Sequence, residues 1–179
     1  MQISPDTILE PIADHHAAPV FQLIQKNRGQ LEKWLPWVTN IHSEADFQNF
    51  LNGAKQRVAD KQAAAFFIRH KGEIAGNIGI YHIDHQNKIA AIGYWLGEEF
   101  QGKGVITEAC REIIRYGFME FNLNRIELKC GTGNVKSKAI PERLGFTKEG
   151  ILRQAELGNG NFQDLYLYSL LRQEWEMRS

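Results

Sequence analysis

The stretch from residue 63 to residue 104 constrains the fold of this chain more than any other. Residues 63–70 form a continuous apolar run, Lys71-Gly72 makes a turn, and residues 73–83 alternate, with Ile74, Gly76, Ile78 and Ile80 on one side. Turn-forming residues 84–87 follow, and then a third run over 88–96. Links this short between half-buried runs predict antiparallel neighbours in one sheet. The period then changes. Past Gly102-Lys103-Gly104, the residues Ile106, Ala109, Cys110, Ile113, Ile114, Gly117 and Phe121 recur at helical spacing. A sheet meander that feeds directly into an amphipathic helix leaves that helix one place to pack, against the sheet it has just left.

The flanking segments complete the pattern. Residues 7–11 read as an opening strand, and Asp14 is suited to cap a helix carrying Ala17, Val20, Phe21, Leu23 and Ile24. Residues 28–37 read as a short segment ended by Pro36. Ser43 with Asp46 three residues later starts a second helix, with Phe47, Phe50, Leu51, Ala54 and Val58 on its apolar face. After the glycine-led helix come a strand over 125–131, a short helix over 136–144, and two long strands, 146–156 and 162–171, joined at Gly158-Asn159-Gly160. The predicted architecture is α/β (α+β): one domain over 1–179, with a central mixed, mostly antiparallel sheet of six to seven strands and helices on both faces.

Bulk properties exclude several classes. Lys plus Arg and Asp plus Glu each total 21, so the chain carries no net charge. That argues against general affinity for nucleic acid or membrane. No apolar run approaches the roughly 20 residues needed to span a bilayer, and the first residues lack a basic stretch followed by an apolar one, so a cytoplasmic protein is expected. Cys110 and Cys130 lie in apolar patterns without metal-ligand spacing and read as reduced core thiols. His82 and His85, three apart on a strand, point to opposite faces, and His15-His16 reads as a solvated helix start. No metal is expected.

The glycine-rich turn carries the chemistry. A strand ending Gly93-Tyr94-Trp95-Leu96 runs through Gly97-Glu98-Glu99-Phe100 into Gln101-Gly102-Lys103-Gly104-Val105-Ile106-Thr107. Free amides at a helix start, aligned with the positive end of the macrodipole, suit a phosphate. The nucleotide-triphosphate signature Gly-Lys-Ser/Thr is missing, and so is the dinucleotide fingerprint. Alone, the turn is also compatible with a tight strand-to-helix connection.

Two motifs together carry a resemblance. Gln101-x-x-Gly104 after Gly-Tyr-Trp-Leu, followed by Asn134-x-x-Ser137 and Glu142-Arg143-Leu144-Gly145-Phe146, resembles the two halves of the coenzyme site of the GNAT acetyltransferases. The segments Leu31-Glu32-Lys33-Trp34-Leu35-Pro36-Trp37 and Arg153-Gln154-Ala155-Glu156 resemble the branch that acetylates N-termini of ribosomal proteins. One position departs from the family: Ile106 stands where Gly or Ala is usual, which requires its side chain to turn into the core. The resemblance implies the GNAT fold, acetyl-CoA as cosubstrate, and a gap between the strands over 88–96 and 125–131 that takes the pantetheine arm. It further implies backbone contacts from Tyr94 and Leu96, phosphate contacts from Gln101, Gly102, Lys103, Gly104, Val105, Ile106 and Thr107, and a contact from Asn134, which is equally suited to cap the following helix.

Direct attack of an amine on a thioester requires a neutral amine, a stabilised oxyanion and a proton for the departing thiolate. Ser137 occupies the position where many relatives have a Tyr that protonates the thiolate, and its hydroxyl can donate a hydrogen bond to sulfur. Glu156, nineteen residues on, is the expected base through water; Glu98 and Glu99 are rivals. Trp34 and Trp37 are expected to wall the acceptor channel, with core packing the competing role for at least one of them. The acceptor that the resemblance implies is a protein N-terminal α-amine. A small-molecule amine and a silent acyl-CoA-binding module are the alternatives, and a homo-oligomer stays open.

Overall fold

In the computed structural model, which describes residues 1–158 and 160–178, β3 (Ala64–His70), β4 (Glu73–Asp84) and β5 (Ile89–Leu96) form the antiparallel meander that their short links predict. Phe66 faces Ile78, and Ile78 faces Tyr94, across the three strands. β1 (Gln2–Ser4) and β2 (Thr7–Pro11) extend the sheet on one side; β6 (Arg125–Gly131), β7 (Thr147–Gly158) and β8 (Asn161–Leu171) extend it on the other. The order is β1-β2-β3-β4-β5-β6-β8-β7, and among the described residues only β5 and β6 pair in parallel.

The sheet has eight strands rather than the expected six to seven. The addition is β1, whose three residues are too few to show alternation. It is held through its neighbour instead: the Leu9 amide donates to the Met1 carbonyl at 2.8 Å, and the terminal ammonium donates to the Leu9 carbonyl at 2.6 Å. At the far hairpin, β7 and β8 pair up to Gly158 and Asn161. The middle residue of the expected turn, Asn159, lies outside the described residues.

Helices α1 (Ala17–Leu31), α2 (Glu44–Ala59), α3 (Val105–Glu120), α4 (Val135–Arg143) and α5 (Arg172–Glu176) cover both faces. Adjacent residues of β3 show the division. Phe66 meets the Tyr116 ring of α3 edge-on at 5.7 Å, while Phe67 lies 4.9 Å from the His16 ring on the opposite face. Of the expected stripe, Ala109, Cys110, Ile113, Ile114 and Gly117 are buried on α3. Ile106 and Phe121 are half-buried against the core, and Phe121 stands just past the helix end. Ile80, Ile126 and Leu123 close around Gly117. Among the described residues, no helix is long and apolar enough to cross a membrane.

Three local expectations are corrected. Asp14 does not cap α1. It opens a 3-10 turn (Asp14–His16), and its carboxylate accepts from Gln48 and Lys55 of α2, so a tertiary contact replaces the local one. Pro36 does not end a helical segment but begins one, the 3-10 turn Pro36–Asn40, since its missing N–H and fixed φ suit a first helical position. His16 is not solvated: it is 1% exposed, its Nδ1 accepts from the Ala13 amide, and its Nε2 donates to Glu10 at 3.0 Å. The Ser43–Asp46 capping box forms as read, with both reciprocal bonds present.

Candidate active site

β5 and β6 pair only from Ile89 to Ile92 against Arg125 to Leu128, and then they part. Past that point β5 keeps its bonds to β4 as far as Leu96, and β6 keeps its bonds to β8 as far as Gly131. The backbone edges of residues 93–96 and 129–131 therefore face each other across a gap. An extended chain carrying amides can add there as a strand does.

One side chain spans the opening. The Tyr94 hydroxyl donates to the Ser137 carbonyl at 3.1 Å and lies 3.3 Å from the Ser137 hydroxyl. Burial drives the Tyr94 phenol far above its ordinary range, so it acts as a neutral donor. Burial likewise pushes the Cys130 thiol up to about 11, partly offset by a hydrogen bond with Ser137. Both cysteines are free and buried. Asn134 caps α4 through its side chain, accepting from the Ser137 amide at 3.1 Å. The cap fixes where Ser137 stands.

At the outer end of β5 the chain makes a 3-10 turn (Glu98–Phe100) and enters the glycine loop. Gly102 and Gly104 sit at φ of +74° and +81°, and the space where a Cβ would point is open at both. Gly104 is the N-cap of α3, and the first intrahelical bond runs from the Glu108 amide to the Gly104 carbonyl. The helix leaves the amides of Val105, Ile106 and Thr107 without intrahelical acceptors. Together these amides and the loop form a cradle for an anion. Ile106 packs against the core, as its departure from the family pattern requires. Val105 and Thr107 are buried, and the Thr107 hydroxyl accepts from Arg143, tying the end of α4 to the start of α3. The Gln101 side chain donates to the Leu96 carbonyl and accepts from Lys136, while Lys103 stands 5.9 Å over the Phe100 ring.

Beyond the end of β6 stands the long hairpin of β7 and β8. Glu156 faces Gln163 across β7 and β8, and directly opposed residues project to the same side of a sheet. The Gln163 side chain reaches the backbone of both Gly131 and Gly158. Trp34 lies against Gly131 and Gly133, so closely that a Cβ at Gly131 would stand 3.0 Å from the indole. Pro36 packs beside Gly158. Glu156 is half-buried, and burial raises its carboxyl above the usual range. Trp37 is committed to packing, stacked on Phe50 at 4.7 Å and tilted toward Trp95. Of the rival carboxylates, Glu99 is paired with Lys26 at 2.6 Å, which lowers it, and Glu98 is exposed.

The structure thus gathers Tyr94, Ser137 and Asn134 at the gap and the 101–107 loop at its outer end, and beyond β6 it sets Trp34 and Gln163, the cross-strand partner of Glu156, both against Gly131. Trp37 stacks on Phe50, the packing role expected for at least one of the two tryptophans. The sequence reading overlooked the side chains of Tyr94, Gln163, Arg143 and Asp164. Only Arg143 had a local signal, in the Arg-Leu-Gly-Phe run. The atoms of Glu10, His15 and His16 that could ligate a metal lie within 4.8 Å of one another. Glu10 is engaged by Arg69 at 2.8 and 3.0 Å, however, so the group reads as a hydrogen-bonded strut between β2, β3 and the start of α1.

A parted parallel pair, a glycine cradle at a helix start and a capped short helix opposite define a coenzyme A-dependent acyltransferase fold. Residues 6–147 match the model of the acetyltransferase (GNAT) domain, and the chain belongs to this family of N-acetyltransferases. It is 39% identical over 170 residues, 94% of this chain and 91% of the relative, to YdaF of Bacillus subtilis, which is provisionally named a ribosomal N-acetyltransferase. It is 34% identical over 169 residues, 94% of each chain, to the ribosomal-protein-serine acetyltransferase of Escherichia coli. Its fold superposes with a TM-score of 0.92 on RimL, the ribosomal L7/L12 alpha-N-protein acetyltransferase, in complex with coenzyme A, at 28% identity and covering 97% of this chain and 98% of that one.

Proposed function

We propose that this N-acetyltransferase moves the acetyl group of acetyl-CoA onto the N-terminal α-amine of a protein, a ribosomal protein being the leading candidate, within the cytoplasm. The observation that carries this reading is Glu156. It is half-buried and lifted above the usual carboxylate range, it forms no ion pair with a described residue, and it projects beside Gln163 at an opening bordered by Trp34 and Pro36. Magnitudes favour an α-amine. Freeing it of its proton at pH 7 costs about 1–1.4 kcal/mol, against about 4.6 kcal/mol for a lysine. A single carboxylate acting through water meets the smaller demand. The near-full-length likeness to the Escherichia coli ribosomal-protein-serine acetyltransferase supports the same acceptor class.

In this reading the amides of 102–107 hold the diphosphate of the cosubstrate, and the exposed edges of β5 and β6 hold its pantetheine. Backbone groups at Tyr94 and Leu96 align the thioester, while Asn134 sets the start of α4. Ser137, with Tyr94 behind it, donates to the sulfur as negative charge develops there. Glu156 takes the ammonium proton, and Trp34 supports the incoming chain. The test is incubation with acetyl-CoA and ribosomal proteins, followed by mapping of new acetyl groups by mass spectrometry. One modified N-terminus is expected. Modification of small amines alone would overturn the acceptor class, and coenzyme binding without transfer to any amine would point to a silent module.

A further inference from the structure

β7 carries a bulge immediately before Glu156. Between the pairs Leu152–Leu165 and Glu156–Gln163, β7 advances four residues while β8 advances two. Two extra residues preserve the side to which Glu156 projects but change where along the hairpin it stands. In an unbroken ladder Gln154 would face Gln163, and Glu156 would face Asn161 near the hairpin tip. The bulge therefore draws Glu156 back toward the end of β6 by two strand positions, about 6–7 Å at 3.3 Å per residue.

Such a bulge needs something to hold it. Gln154 sits at φ +51°, a left-handed conformation that a non-glycine side chain adopts at a cost. Its amide donates to the Asp164 carboxylate at 2.8 Å. The carbonyl of the same Asp164 accepts from the Thr132 amide at 3.0 Å, just past the end of β6. One residue thus ties the bulged strand to the strand end where Gly131 meets Trp34 and Gln163.

We propose that Asp164 is the positioning residue for Glu156: its carboxylate locks the Gln154 bulge and so sets the carboxylate of Glu156 at the acceptor opening. This rests on the reading of Glu156 as the base. Loss of the lock lets the ladder straighten and carries Glu156 outward into solvent, where burial no longer raises its carboxyl. Asn at 164 keeps an acceptor oxygen of the same reach, whereas Ala removes it.

The experiment is the pH profile of kcat/KM for the intact protein and for Glu156→Gln, Asp164→Asn, Asp164→Ala and the double variant Asp164→Ala/Glu156→Gln. For Asp164→Ala the expected result is a plateau about 10- to 100-fold lower, the size of a misplacement of this order, and an acidic limb moved to lower pH. Asp164→Asn should stay within about twofold of the parent with its limb unmoved. The double variant should lose nothing beyond Glu156→Gln. If Glu156→Gln keeps the limb, the base reading fails and the positioning role falls with it. If Glu156→Gln loses the limb but Asp164→Ala keeps both plateau and limb, or subtracts equally in the Glu156→Gln background, the positioning role alone is overturned. Hydrogen exchange on the unaltered protein gives a check independent of variant folding: the Gln154 amide should exchange slowly, and exchange at an open-chain rate overturns the lock.

Discussion

The Tyr94 hydroxyl joins Ser137 across the parting of β5 and β6, donating to its carbonyl at 3.1 Å and standing 3.3 Å from its hydroxyl. The bond links strand β5 to helix α4 over the gap between β5 and β6, so the group assigned to the leaving thiolate is held by the opposite wall. Ser137→Ala is expected to lower kcat about tenfold at saturating substrates, the size of one hydrogen bond at 1.36 kcal/mol per decade. Tyr94→Phe should lower it less and reduce stability by about 1 kcal/mol. Steady-state kinetics and thermal melts check both, and an unchanged kcat in Ser137→Ala removes the serine from the chemistry.

Gly104 should be intolerant of a side chain even though the space around it is open. A Cβ there meets no neighbour within 4 Å, so the penalty comes from φ +81°, about 1–2 kcal/mol for an L-residue. Relaxing that strain turns the amides of the cradle. Gly104→Ala should weaken coenzyme A binding about tenfold by calorimetry, in line with 1.4 kcal/mol per decade. Gly29→Ala, in the last turn of α1 with equally open space and no left-handed φ, should leave binding unchanged and raise stability by about 0.5 kcal/mol. Equal affinities for the two variants would show that loop geometry does not govern the cradle.

Trp34 and Trp37 should behave differently under the same substitution. Trp34→Ala is expected to raise KM for the acceptor about tenfold while leaving coenzyme affinity alone, as loss of an aromatic anchor does. Trp37→Ala dismantles the contacts with Phe50 and Trp95 and should appear first as destabilisation, about 0.5–3 kcal/mol for a half-buried aromatic. A KM effect confined to Trp37 would reverse the assignment.

Acid should weaken the fold through Glu10. Arg69 holds its carboxyl down to about 2 from an ordinary value of 4.5, with His16 also donating to it. A carboxylate depressed in the folded state stabilises it fully above 4.5 and loses that contribution as pH falls through 2. Glu149, lowered to about 2 by Arg125 and Ser169, adds in the same direction. Melting temperature should fall across that window. Glu10→Gln should flatten the slope there and be less stable at neutral pH by on the order of 2–3 kcal/mol. A variant with the parent's slope would assign the acid loss elsewhere.

Much of the fold was legible because its signals are short-range. The apolar run of β3, the short turns that bound β4 and β5, the Ser43–Asp46 box and most of the α3 stripe each lie within one segment, and each of these elements forms. The missing strand and helix, β1 and α5, are three and five residues long, below the length at which a period can be recognised. Asp14 and Pro36 were misread for a different reason: both have a local role that a distant partner or an alternative helical position displaces. The unusual dihedrals of Gly102 and Gly104 and the Asn134 cap were legible because backbone conformation and capping depend on neighbours a few positions away. The bulge at Gln154 was not, because Gln carries no left-handed preference and the residue that holds it stands ten positions off on another strand.

The chain alone determined which segments become most of the strands and helices, that a glycine turn opens α3, and that Asn134 caps α4. Only the folded molecule decided that Tyr94 reaches Ser137, that Trp34 lies on Gly131 while Trp37 stacks on Phe50, and that Asp164 ties the Glu156 strand to β6. The physical reason is the range of each interaction. Periodicity, caps and glycine dihedrals act within a few residues and are written locally, whereas the separation of two strands and the side chains that bridge it depend on how every other layer packs around them.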